Sequence, residues 1–247
     1  MKTVILAGGR GTRLAPYTSV LPKPLMPIGE KAILEILIER LSEAGIKEIT
    51  LSVGYLAHLI RAVVDNGPST RTSIRFEYVT EEEPLGTAAP LRLVEGLDDT
   101  FLVMNGDILT DLDFADLMAT HRERGHSLTI AAHVRQTPLD YGVLELDDVD
   151  EVSGFREKPE VTSIVSMGIY VMEPEALDSI PENCYFDFPQ LVQALLDTDQ
   201  RVGAYLYQGL WFDIGRRDDY EAAVEAWLAD EGAIGDAPID LIAPTQR

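Results

Sequence analysis

The first apolar run constrains this chain most. Residues 3 to 7 read Thr-Val-Ile-Leu-Ala and stop at Gly8 and Gly9. A β-branched run ended by glycines predicts a buried central strand that opens into a loop of free backbone N–H groups. Residues 32 to 44 then carry apolar side chains at helical spacing and stop at Gly45. ITLSVGY reads as a strand, LAHLIRAVVDN as a helix, IRFEYVT as a strand and TAAPLRLVEGL as a helix. FLVMNGD is a buried strand that delivers Asp107 at its carboxyl end, the edge where ligands bind in open α/β sheets. From about residue 127 the strands shorten (SLTIAAHV, GVLEL, VSGFREKP, SIVSMGIYVM), and helices are expected near 187–197 and 217–231. The pattern predicts an α/β fold: a single domain over residues 1–231, with a mixed, mainly parallel central sheet flanked by helices. Residues 232–247 lack periodicity and are expected to form a loosely held tail.

A net charge of −22 argues against nucleic-acid and anionic-membrane partners, which need a basic surface. No apolar stretch approaches the ~18 residues of a membrane span, and the start of the chain is too short in apolar residues for a signal peptide. The single Cys184 cannot form an internal disulfide, so a cytoplasmic location is expected. Any anionic ligand must find a locally basic site against the overall field. Lysines occur only at positions 2, 23, 31, 47 and 158, and Lys23 and Lys158 lie in the Pro-flanked tripeptides PKP and EKP. Homo-oligomerisation is left open.

The segment LAGGRGTRLAPYTSVLPKPLMPIG, residues 6–29, matches neither a Walker A loop, which needs a Lys-Ser/Thr pair after its last glycine, nor the GxGxxG turn that leads directly into a helix. It resembles the signature of the sugar-1-phosphate nucleotidyltransferases, GGxGTRL followed by PKP. The resemblance extends in order through EEEPLGTA (81–88), NGD (105–107), YGV (141–143), FREKP (155–159), GIY (168–170) and WFDIG (211–215). It implies a Rossmann-like nucleotidyltransferase domain that joins a nucleoside triphosphate to a sugar 1-phosphate, uses Mg²⁺ and releases pyrophosphate.

By the same resemblance, Leu6, Ala7, Gly8, Gly9, Gly11, Thr12, Arg13, Lys23, Glu81, Gly86, Thr87 and Asn105 bind the nucleotide. Arg13 and Lys23 neutralise the triphosphate and the leaving pyrophosphate, and Lys158 holds the sugar phosphate. Asp107 and Asp213 bind the metal, while Gly142, Glu157, Lys158, Ser166 and Trp211 form the sugar side. Two polyanions must meet, and unit like charges about 4 Å apart repel by roughly 4 kcal/mol at an effective dielectric of 20. Fixed cations are therefore needed, and a covalent nucleophile is not. Because Lys23 and Asp107 are assigned to a site and not to the core, their loss is expected to spare thermal stability. Trp211 is open to two roles, core packing or sugar contact, and Trp227 is expected in the core. His58, His121, His126 and His133 show no metal-ligand spacing, and LDDVDE (146–151) reads as a solvated turn.

Glu81 stands five residues before Gly86, where thymidylyl- and uridylyl-transferring relatives commonly carry a Gln. A carboxylate only accepts hydrogen bonds, which suits the N1–H and N2–H₂ donors of guanine and opposes the O4 acceptor of uracil or thymine. GTP is the preferred donor, with Glu82 or backbone as the other candidate readers of the base. Mannose-1-phosphate and manno-heptose-1-phosphate guanylyltransferases are the nearest resemblance. The run Ser166-Met167-Gly168-Ile169-Tyr170 departs from their usual NAGIY, so the sugar stays unassigned. Thymidylyl-, uridylyl- or cytidylyltransferases of the same fold, and a non-catalytic regulatory subunit, are the alternatives.

Overall fold

The computed structural model describes residues 2–67, 73–81, 83–215 and 217–229. The opening run forms β1 (Lys2–Ala7). A Pro-rich loop leads to the small ribbon β2 (Pro27–Ile28) and β3 (Lys31–Ala32), then to α1 (Ile33–Glu43), β4 (Glu48–Val53), α2 (Ala57–Asn66) and β5 (Arg75–Thr80). Next come β6 (Phe101–Asn105), β7 (Ile108–Thr110), α3 (Phe114–Arg124), β8 (Leu128–Pro138), β9 (Val143–Leu146), β10 (Val152–Arg156) and β11 (Glu160–Met172). The described chain closes with α4 (Phe188–Asp197), β12 (Val202–Tyr207), β13 (Trp211–Asp213) and α5 (Arg217–Ala229). The expected tail, 232–247, lies outside the described residues, as does the side chain of Trp227.

Seven strands form one sheet in the order β12-β8-β11-β6-β1-β4-β5. All are parallel except β11, which runs against both neighbours, so the mixed, mainly parallel expectation holds. Strand alternation sends Ile5, Leu102 and Met104 to one face, against Leu34, Ile38, Leu41, Ile60 and Phe114. Val4, Phe101 and Val103 go to the other face, against Leu91, Leu191 and Leu195. Both faces are buried, which is why the central strands read as nearly continuous apolar runs. Helix α1 stops where the sequence predicts: Gly45 takes φ 81°, the left-handed conformation that glycine adopts without a Cβ penalty.

One expected element is absent. TAAPLRLVEGL forms only a short 3₁₀ stretch, Ala89–Leu93, instead of a helix. Pro90 has no N–H, and the N–H groups of Ala88 and Ala89 already donate to the Phe186 carbonyl at 2.9 and 3.0 Å. The segment is thereby strapped to residues 186–188 across the chain.

After β5 the chain crosses to the opposite side of β1 to form β6. The strand order therefore reverses beside β1, creating the crevice in which open α/β sheets bind ligands. A third apolar cluster, with Leu14, Met26, Ile28, Leu109, Leu210 and Ile214, lies under this edge and anchors the Pro-rich loop to β7, β13 and α5. Beyond Val134 and Val165, β8 and β11 pair only with each other and form an arm, with the β9–β10 hairpin in the connection between them.

Candidate active site

Because β1, β4, β5 and β6 are parallel, their ends at Ala7, Val53, Thr80 and Asn105 share one edge. A cavity of about 410 Å³ opens there. Every residue of the expected nucleotide set, from Leu6 to Asn105, lines it, together with Asp107. Residues 142, 157, 158, 166, 211 and 213 do not. Pro24, Pro84, Tyr185 and Asp187 line it without having been anticipated.

At one end, Lys23 lies on the short helical turn Lys23–Leu25 of the Pro-rich loop, and all three residues of that turn are buried. Its ammonium contacts Asp107 Oδ2 and lies 3.7 Å from Asp213 Oδ1. The two carboxylates meet because β7, directly after Asp107, pairs antiparallel with β13, setting Asp213 opposite Ile108. The Ile214 N–H closes this pairing by donating to the Asp107 carbonyl at 3.1 Å. Burial, reinforced by the neighbouring charge of Asp107, pushes the Asp213 carboxyl above its ordinary pKa, and Lys23 and Arg13 oppose the shift. Asp107 Oδ1 is buried with no hydrogen-bond donor. An orphaned acceptor beside a second carboxylate suits a hard cation that takes one or two carboxylates plus phosphate and water oxygens.

At the other end, Glu81 leaves β5 with both oxygens anchored. Ser52 Oγ donates to Oε1 at 3.0 Å, and the Leu85 N–H donates to Oε2 at 3.1 Å. Gly8, which lines the cavity, has a further constraint: a Cβ there would lie 2.7 Å from Glu81 Oε1, so the missing side chain makes room for this carboxylate. Glu82 lies outside the described residues. The Thr87 hydroxyl donates to Asp187 Oδ1 at 2.9 Å and accepts from the Phe188 N–H at 2.9 Å. Asp187 Oδ1 also accepts from the Thr87 N–H at 2.8 Å, and Oδ2 accepts from the Tyr185 hydroxyl at 2.7 Å. At the start of α4 the Gln190 Oε1 accepts from the Asp187 N–H at 2.8 Å, half of a capping box, while the Asp187 carboxylate turns to Thr87 and Tyr185. The Asp-x-x-Gln spacing makes that helix start legible in sequence, but nothing local places it beside Thr87.

The residues assigned to the sugar fall into two groups. Trp211 donates from Nε1 to the Met167 carbonyl at 3.1 Å, packs part-buried on the main core and meets His133 at a ring separation of 5.5 Å. Ser166 Oγ donates to Tyr170 Oη and accepts from the Gly168 N–H, both at 3.2 Å. Gly168 abuts the Asn105 side chain, so this group borders the cavity. Gly142, Glu157 and Lys158 are exposed and lie at the base of the β9–β10 hairpin, where Gly142 backs onto the Phe155 ring and Glu157.

Outside the cavity, residues 146–151 are solvated, as expected, and His58 is exposed on α2. His121 is fully buried between Thr129 Oγ1, 2.7 Å away, and Glu173 Oε1, 3.0 Å away. Among the described residues no cluster of three or more His, Cys, Asp or Glu side chains could hold a metal, and no helix is long and apolar enough to cross a membrane.

A family model described as nucleotidyl transferase matches residues 2–230. The chain is 35% identical over 240 residues to the probable mannose-1-phosphate guanylyltransferase 1 of Oryza sativa subsp. japonica, covering 92% of this chain and 65% of that protein. It is 34% identical over 249 residues to the UTP–glucose-1-phosphate uridylyltransferase of Synechocystis, covering 94% of this chain and 64% of that protein. It therefore spans just under two thirds of the length of these curated relatives. The crystal structure of HddC from Yersinia pseudotuberculosis complexed with GMP-PN superposes with a TM-score of 0.68 at 28% identity, covering 92% of this chain and 99% of that one.

Proposed function

From the premise that the chain belongs to the nucleotidyl transferase family, we propose that it transfers GMP from GTP to a sugar 1-phosphate, giving a GDP-sugar and pyrophosphate. The observation that carries the proposal is the placement of Lys23 between Asp107 and Asp213 at one end of a cavity whose other end presents Glu81. A sugar-phosphate oxygen attacks the α-phosphorus in line, the P–O bond to the β-phosphate breaks, and pyrophosphate leaves. Lys23 and Arg13 offset the charge gathering on the α-phosphoryl group and the leaving group, so the work is positioning and electrostatics. Asp107, through its donor-free Oδ1, and Asp213 are the residues that would hold Mg²⁺. When bound, Mg²⁺ supplies further positive charge to the phosphate oxygens.

Guanylyl and uridylyl relatives are similar to this chain at nearly equal identity, so overall likeness does not choose the base. Glu81 does, because a carboxylate accepts from guanine N1–H and N2–H₂ and repels the uracil O4. Lys158, with Gly142 and Glu157, is assigned the sugar phosphate on the EKP motif. Ser166 in place of the usual amide leaves the sugar open. A cytoplasmic location is part of the same proposal. Incubation with each nucleoside triphosphate, Mg²⁺ and a panel of sugar 1-phosphates, with pyrophosphate as readout, tests it. GTP is expected as the best donor, and GTP as the poorest donor overturns the base assignment. A non-catalytic role is disfavoured because Arg13, Lys23, Asp107 and Asp213 are all retained.

A further inference from the structure

We infer that Ser52, a fully buried residue of β4, is a positioning residue for nucleobase selection, acting through Glu81. The inference rests on the proposal that Glu81 reads guanine. Three facts carry it.

First, Ser52 and Thr50 are the buried polar residues on one face of β4, with Ile49, Leu51 and Val53 on the other, and Ser52 has no exposure at all. Burying a hydroxyl without a partner is costly, and Ser52 gives its single O–H donor to Glu81 Oε1 at 3.0 Å. In register it sits between Leu6 of β1 and Val79 of β5, beneath the loop that follows Glu81. Second, the Leu85 N–H takes the other oxygen, Oε2, at 3.1 Å. Third, Gly8 leaves the space that Oε1 occupies, since a Cβ there would come within 2.7 Å of it. The carboxylate is thus fixed in position and in rotation before any ligand arrives.

A carboxylate offers about four acceptor sites, and Ser52 and Leu85 use one on each oxygen. One site on each oxygen remains, which matches the paired N1–H and N2–H donors of guanine. That match depends on the rotation of the carboxylate plane. Without Ser52, only the Leu85 N–H restrains it. A base with two adjacent donors then loses the simultaneous fit, whereas a base with N1–H alone, such as hypoxanthine, loses little.

The test is equilibrium binding of GTP and ITP with Mg²⁺, which needs no knowledge of the sugar. The ratio Kd(ITP)/Kd(GTP) does not depend on the fraction of protein correctly folded. Ser52→Ala is expected to weaken GTP about tenfold and ITP less than twofold, within the range of one bidentate base contact. Glu81→Ala is expected to abolish the ratio. In the Glu81→Ala background, adding Ser52→Ala is expected to change GTP binding less than twofold. Ser52→Cys keeps the volume with a weaker donor, is expected to fall between, and serves if the alanine variant fails to fold.

If Glu81→Ala abolishes the ratio while Ser52→Ala leaves it intact or weakens both nucleotides equally, the role of Ser52 is overturned and that of Glu81 stands. If neither variant changes the ratio, or the unsubstituted protein prefers ITP, the reading of guanine by Glu81 falls, and the inference with it.

Discussion

Lys23→Met keeps the length of the side chain and removes its charge, leaving Asp107 and Asp213 with only the more remote field of Arg13 to offset them. The Lys23 side chain is 11% exposed and that of Asp107 17%, so this charge is embedded in the protein. At an effective dielectric of 20, the attraction across the 3.7 Å to Asp213 is about 4 kcal/mol before desolvation is counted. Removing one partner of a fully buried pair costs about 3–5 kcal/mol. Asp213 keeps 40% of its side chain exposed, and water screens it, which lowers the expected loss to about 2 kcal/mol. For a chain of this size that corresponds to a fall in Tm of roughly 4–8 °C. Lys23 is thus buried as well as in the site, so a thermal cost is now expected where the sequence alone pointed to none. Differential scanning fluorimetry without Mg²⁺ measures the fall, and adding Mg²⁺ is expected to recover part of it by binding the freed carboxylates. Turnover, followed by pyrophosphate release, is expected to drop about 100–1,000-fold, the loss typical of one preorganised electrostatic group. A Tm within 1 °C of the unsubstituted protein, or turnover within about threefold, refutes the placement of this charge.

Gly8→Ala puts a Cβ 2.7 Å from Glu81 Oε1 and is expected to weaken GTP about tenfold with ITP less affected; calorimetric binding with unchanged GTP affinity would count against the packing. Asp187→Ala releases the Thr87 N–H, the Thr87 hydroxyl and the Tyr185 hydroxyl, and is expected to cost about 1–2 kcal/mol by urea unfolding and to raise KM for the triphosphate. For pH, burial pushes the Asp187 carboxyl up, but hydrogen bonds from Tyr185 and Thr87 outweigh it and hold the pKa below its ordinary value. Its contribution is therefore full above the unfolded pKa of about 3.9 and lost as pH falls through the folded value, so Asp187→Asn should flatten the stability-versus-pH curve only in that acid range. Burial holds the His121 imidazole below its ordinary pKa despite Glu173, so its stabilising effect is full above about 6.5 and declines as pH falls from there through the folded value. An NMR titration placing its midpoint above that of a free imidazole would show that Glu173 outweighs burial.

Much of the fold was legible because burial on both sheet faces leaves long apolar runs such as TVILA and FLVMN, and because Gly45 marks a helix end. The missing helix at residues 87–97 was not, because its N–H groups answer to Phe186, about a hundred residues away. The nucleotide side was legible from the ordered motifs of the resemblance, and much of it sits close to strand ends: Gly8 and Gly9 after β1, Glu81 after β5, and Asn105 at the end of β6. The contact of Gly8 with Glu81 was not legible for the converse reason: it links residues that follow two different strands. Asp187 and Tyr185 were invisible as cavity residues, since only tertiary strapping brings them there. Lys158, Glu157 and Gly142 could be named from motifs, yet no local rule says where a hairpin will stand.

Within the seven-stranded sheet, β11, which runs against both its neighbours, gives the molecule a mechanical asymmetry. Its inner half is pinned to β6 through Ile169–Met172, while its outer half, from Glu160 to Val165, is held only by β8. The arm projects like a cantilever from the region of Gly168, which takes a positive φ within the register shift between Ser166 and Tyr170. Changes in its length are not transmitted to the strands that bear the nucleotide site. They obey a parity rule instead, because side chains alternate faces with a period of two. Adding or removing two residues per strand lengthens or shortens the arm and keeps each side chain on its face, whereas one residue turns the outer arm inside out.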